Sequence, residues 1–87
     1  MGRFEIKFSK HAERQLKERN IAPELVRETL ENPEQIVKAG KNRKIAQRIY
    51  QRQGGEFLLR VVFSEQGNLE IITMYWTSKL SKYRRKS

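Results

Sequence analysis

The sequence predicts an α+β domain: one strand, then an αα-hairpin, then an antiparallel sheet with the helix pair packed on one face. Three observations lead there. Phe57 to Trp76, FLLRVVFSEQGNLEIITMYW, is the one long apolar block in a polar, basic chain, and its two runs flank a cluster of turn formers, as a hairpin requires. Two earlier segments carry thin apolar stripes at helical spacing. Between these regions, Arg43 to Gln53 alternates with the period of a strand. Eighty-seven residues make one domain, expected over 1–78, with 79–87 as a basic tail.

Taken in order, Arg3-Phe4-Glu5-Ile6-Lys7-Phe8 places Phe4, Ile6 and Phe8 on one face of a strand. Ser9 is a good N-cap for a helix over Lys10 to Asn20, whose stripe is Ala12 and Leu16. Pro23 suits the first position of a second helix, with Leu25, Val26, Thr29 and Leu30 facing inward and Asn32-Pro33 ending it. Neither stripe can stabilise its helix alone, so both helices must lie on the sheet. Gln35 to Ala39 reads as a short strand and Gly40-Lys41-Asn42 as a turn.

The register can be argued from the turns. A turn at Gln66-Gly67 pairs Phe57 with Trp76, Leu59 with Met74 and Val61 with Ile72. A three-residue loop Gln53-Gly54-Gly55, with Gly55 left-handed, pairs Arg52 with Glu56, Ile49 with Leu59 and Ile45 with Phe63. A two-residue Gly54-Gly55 turn instead sets Arg48 and Arg52 on the face of Phe57, Leu59 and Val61. Unpaired buried guanidinium groups cost several kcal/mol, about what a small fold has to spare, so the first register is preferred. It buries Ile45, Ile49, Leu59, Val61, Ile72 and Met74 under the helices. Its open face shows a row Tyr50, Leu58, Tyr75 beside a row Arg48, Arg60, Thr73. Two arginines opposite each other repel unless they splay into water or an anion joins them.

Composition narrows the chemistry. There is no Cys, which excludes disulfides and thiolate metal sites and fits a reducing cytoplasm. With no Asp and a single His, no catalytic metal cluster and no cofactor is expected. No apolar run approaches the roughly 20 residues of a membrane span. His11, Arg14 and Glu18 share a helix face, and a local salt-bridge network is the simplest account of them. Residues 1–34 hold seven Lys/Arg and seven Glu, whereas 35–87 hold twelve and three, so all of the +9 net charge lies in the second part. That asymmetry points to a polyanion: RNA, DNA, an acidic protein or an anionic membrane surface. The expected contacts are Lys41, Arg43, Lys44, Tyr50, Lys79, Lys82, Tyr83, Arg84 and Arg85. The last of these belong to a tail that is either a short helix folded onto the sheet or a basic arm.

The run HAERQLKERNIAPELVRETLENPEQI, with a strand like Ile71-Ile72-Thr73-Met74-Tyr75 near the end, resembles a small prokaryotic domain family of the RelE/ParE toxin superfamily across residues 8 to 77. The resemblance implies a RelE-like fold, β-α-α followed by an antiparallel sheet. It also implies a toxin-type protein acting as a metal-independent endoribonuclease on free or ribosome-bound RNA, as a gyrase-directed ParE-like inhibitor, or as a non-catalytic RNA- or protein-binding module. A cognate acidic antitoxin protein is an implied partner, and the chain is expected as monomer or homodimer. In the nuclease reading Arg48, Arg60 and Tyr75 are the catalytic candidates. Arginine stabilises charge on the phosphorus centre, and tyrosine takes or gives a proton.

Overall fold

A computed structural model describes residues 5–83. The elements run β1 (Ile6–Phe8), α1 (Lys10–Glu18), α2 (Pro23–Glu31), β2 (Gln35–Gly40), β3 (Arg43–Arg52), β4 (Gly55–Ser64), β5 (Leu69–Thr77) and α3 (Leu80–Tyr83). They form one five-stranded sheet in the order β1-β5-β4-β3-β2. The expected RelE-like antiparallel sheet is overturned, because among the described residues the sheet is mixed and the helices number three. Strand β1 pairs parallel to β5, Ile6 with Leu69 and Phe8 with Ile71. Alternation in a sequence identifies a strand but neither its neighbour nor its direction, and the neighbour here is the last strand of the chain. Phe4, expected on the same face, lies outside the described residues. No helix among the described residues is long and apolar enough to cross a membrane.

The β3–β4 turn sets every side chain of β3. Arg52 pairs with Gly55, Arg48 with Leu59 and Gln47 with Arg60. The loop is therefore Gln53-Gly54, both with positive φ (46° and 76°), as a two-residue hairpin turn that matches strand twist demands. Gly55 is an ordinary strand residue, and the expected three-residue loop is wrong by one position. Each even-numbered residue of β3 consequently faces the helices. The desolvation argument against Arg48 and Arg52 on that face is outweighed because both are only half-buried and each guanidinium finds a contact. Arg48 donates from Nη1 to the Asn32 carbonyl at 2.8 Å, and the Arg52 guanidinium lies 4.2 Å from the Trp76 ring centroid. Two buried donors at this end lack a partner among the described residues, Arg48 Nε and Trp76 Nε1.

The β4–β5 pairing is displaced by two residues from the expected one, Leu59 opposite Trp76 and Val61 opposite Met74, so facing is preserved. A bulge follows: Val62 pairs with Thr73 but Phe63 with Ile71, which leaves Ile72 as the extra residue, half-buried. Ile45 and Ile49, expected under the helices, are half-buried on the other face.

Beyond Ile71 the outer edge of β5 has no strand beside it among the described residues, and α1 takes over its hydrogen bonds. Ser9 caps α1 by accepting from the Ala12 N–H at 3.0 Å and donates its own hydroxyl to the Ile72 carbonyl at 3.1 Å. The Met74 N–H donates to Gln15 Oε1 at 3.2 Å, and Arg19 Nη1 donates to the Met74 carbonyl at 3.1 Å. Gln15, 5% exposed, also accepts from the Thr73 hydroxyl. Helix α2 docks on β3 through Tyr50, whose hydroxyl donates to Glu28 at 2.8 Å and whose ring meets Trp76 edge-on at 5.8 Å. The core between helices and sheet comprises Ala12, Ile21, Val26, Leu30, Ala46, Leu59, Val61, Phe63, Ile71 and Met74.

Leu58 and Leu59 are 1% and 0% exposed on opposite faces. Each change to Ala should cost about 2–5 kcal/mol in urea unfolding, against under about 0.5 for Ile36→Ala at a position 51% exposed. A second outcome concerns Tyr50, whose phenol burial raises above its usual 10.0, helped by Glu28. The folded state then holds the phenolic proton more tightly than the unfolded chain. This contribution is full below pH 10.0 and is lost as pH climbs toward the folded value. The stability difference between wild type and Tyr50→Phe should be flat from pH 7 to 9 and move against wild type above about 10.

Candidate functional site

The face away from α1 and α2 carries a polar row that crosses four strands. Gln35 lies opposite Gln47, Gln47 opposite Arg60, and Arg60 opposite Tyr75. Hydrogen bonds link each to the next. Gln47 Nε2 donates to Gln35 Oε1 at 2.9 Å, Arg60 Nε donates to Gln47 Oε1 at 2.9 Å, and Arg60 Nη1 donates to the Tyr75 hydroxyl at 2.5 Å. Apolar rows flank it: Val37, Ile45 and Val62 on one side, Ile49 and Leu58 on the other.

Helix α3 closes over the row. Its turn forms because the Lys79 N–H donates to Thr77 Oγ1 at 3.1 Å and the Leu80 N–H to the Ser78 carbonyl at 2.9 Å. This brings the Tyr83 ring to 4.0 Å from the Arg60 guanidinium carbon, and the Tyr83 carbonyl accepts from Gln47 Nε2 at 2.9 Å. Arg60 is 7% exposed, yet no carboxylate pairs with it among the described residues. Its partners are an amide, a phenol and an aromatic face, all neutral. Cation–π attraction and two hydrogen bonds offset part of the desolvation cost of the charge.

The expected trio is divided. Arg60 and Tyr75 meet, but Arg48 is on the helix face opposite Leu59, and a glutamine stands where a second arginine was expected. The predicted repulsion between Arg48 and Arg60 therefore does not arise. Tyr50 is likewise on the helix face, against Trp76, and not in a row with Leu58 and Tyr75. Tyr83 joins the site, and the tail is helical over Leu80–Tyr83. Lys79 and Lys82 are exposed beside it, with Lys82 Nζ 5.3 Å from the Tyr83 ring centroid. Arg84 and Arg85 lie outside the described residues. Lys41, Arg43 and Lys44 gather at the β2–β3 turn, where with Lys38 they line a cleft of about 440 Å³. Lys44 is paired there with Glu65 at 3.0 Å. His11 is exposed on α1, in the other layer. No group of three or more His, Cys, Asp or Glu among the described residues could hold a metal ion.

Gln47 and Gln35 escaped the sequence reading. The available signal was position: Gln47 stands between Ile45 and Ile49 at two-residue spacing, so a polar side chain there had to be buried with partners. Chemically, the row offers a cation in a dry setting, one phenol hydroxyl bonded to it, and an aromatic ring on its face. Such a set suits anion contact and base stacking. Removing its hub should show in stability: Gln47→Leu strands Arg60 Nε and should cost about 1–3 kcal/mol, against under about 0.5 for the exposed Gln51→Leu, both read from thermal or urea unfolding.

Residues 8–76, which include all four members of the row, match the family described as a domain of unknown function, DUF4258. No curated protein and no solved structure matches the chain. Spanning most of the chain, the match shows that this protein belongs to the DUF4258 family.

Proposed function

We propose that this protein is a cytoplasmic RNA-binding module that engages single-stranded RNA on the α3 side of its sheet. The observation that carries the reading is Arg60, a guanidinium 7% exposed with neutral partners and no carboxylate among the described residues. Charge supports it. The chain carries a net charge of +9 at pH 7. Lys79 and Lys82 on one side and Lys41 and Arg43 at the β2–β3 turn are exposed, as phosphate-tracking groups must be.

A second reading, metal-independent cleavage, is favoured by one observation: the Tyr75 hydroxyl lies 2.5 Å from Arg60 Nη1, so a proton carrier and a cation share one spot. The separation of Arg48 leaves that reading with a single arginine. Binding without cleavage is therefore the reading adopted.

The test uses a single-stranded oligoribonucleotide. If about four phosphates are neutralised, affinity should fall roughly 50-fold between 50 and 200 mM salt. Arg60→Gln should weaken binding at least about tenfold, and Arg27→Ala on α2 less than about twofold. Salt-independent binding, or none at low salt, overturns the proposal. If RNA is cut, Tyr75→Phe decides between the readings, because loss of a proton-transferring hydroxyl slows cleavage roughly 10²–10⁴-fold while affinity stays level.

A further inference from the structure

Two contacts made by Tyr83 have an unusual combination. Its ring lies flat enough on Arg60 to bring the guanidinium carbon to 4.0 Å of the centroid, and its main-chain carbonyl accepts from the Gln47 amide at 2.9 Å. Gln47 Nε2 has two hydrogens; one goes to Gln35 Oε1 and the other to this carbonyl. Arg60 spends edge donors on Gln47 Oε1 and Tyr75, which leaves its face for the ring. Without α3, the site would therefore present one amide N–H donor beside one cationic stacking plane, between rows of Ile, Val and Leu. Helix α3 itself is four residues long, with no buried residue. A segment with so little apolar burial opens at low cost.

We propose that α3 is an internal occupant of a nucleobase site, and that the displacing ligand is a single-stranded RNA base with an exocyclic carbonyl, as in uracil or guanine. The base stacks on Arg60 where the Tyr83 ring lies and turns its carbonyl to Gln47 Nε2 where the Tyr83 carbonyl lies. Adenine fits the plane but has no carbonyl: its exocyclic group is a donor, and its acceptors are ring nitrogens that project less far than an exocyclic oxygen. Lys79 and Lys82, exposed on the segment that moves, are set to follow the phosphates of the strand that displaces it. Because ligand must compete with α3, apparent affinity is reduced by the fraction of molecules that are open. The proposal rests on the RNA-binding reading and adds to it which bases are preferred and what holds the site shut.

The experiment compares a short oligouridylate with an oligoadenylate of equal length at low salt. Tyr83→Ala should bind oligouridylate about tenfold more tightly than wild type, with oligoadenylate changed less than about twofold. Adding Gln47→Leu should cancel the gain. A second measurement covers the case in which Tyr83→Ala does not fold. In wild-type protein, oligouridylate but not oligoadenylate should shift the Gln47 side-chain amide resonances together with the Tyr83 ring resonances, the latter toward free-tyrosine values. If wild type binds both oligomers with salt-dependent affinity while Tyr83→Ala gives no selective gain, or the Tyr83 resonances stay fixed, α3 is only a structural cover and the inference falls alone. If wild type binds neither oligomer, the RNA-binding reading falls first and takes the inference with it.

Discussion

The turn at Gln53-Gly54 is the constraint on which the rest depends. With side chains alternating along a strand, a shift of one residue in that turn moves every β3 side chain to the other layer. The two left-handed residues fix the shift, at φ 46° and 76°. Given that turn, Ala46 and Tyr50 join the helices, and Gln47 meets Arg60. Glycine at the second position is conformationally free. Glutamine at the first is not, and the strain there is offset by the nine pairings the turn aligns between β3 and β4.

The polar row follows from this register, and it explains how a small domain tolerates a buried cation. A second arginine opposite Arg60 would have demanded an anion merely to fold. Gln47 removes that demand, because its amide accepts from the guanidinium on one side and donates to Gln35 on the other. The row thereby keeps its positive charge, which a salt bridge in the same place would not allow, since a carboxylate would cancel the field.

Much of the layout was legible in the sequence. Ser9 as a cap, Pro23 at the start of α2 and Asn32-Pro33 at its end are local signals with local causes, and each appears where the residues put it. The apolar alternation of Phe57, Leu59 and Val61 also identified the helix-facing side of β4. What failed was non-local. The direction of β1 depends on a partner some 60 residues away in sequence. The β3 register turned on a desolvation argument that assumed Arg48 and Arg52 would be sealed, whereas both are only half-buried with a carbonyl or an indole to meet them. Arg60 and Tyr75 do meet, but in a row other than the expected one. Their true neighbours, Gln47 and Gln35, were overlooked because neutral polar residues carry no charge pattern to notice.

The way α1 completes the β5 edge has a consequence for self-association. On that side the sheet ends in a three-residue strand, and past it Gln15 and Arg19 already hold the Met74 N–H and carbonyl. The opposite border, β2, is six residues long and has no such cover among the described residues, though Lys38 and a bulge beside it discourage partners. Among the described residues β2 is thus the longer of the two borders. A second copy pairing along β2 would make one self-complementary contact, whereas the stretch of β5 under α1 already has its Met74 N–H and carbonyl taken up.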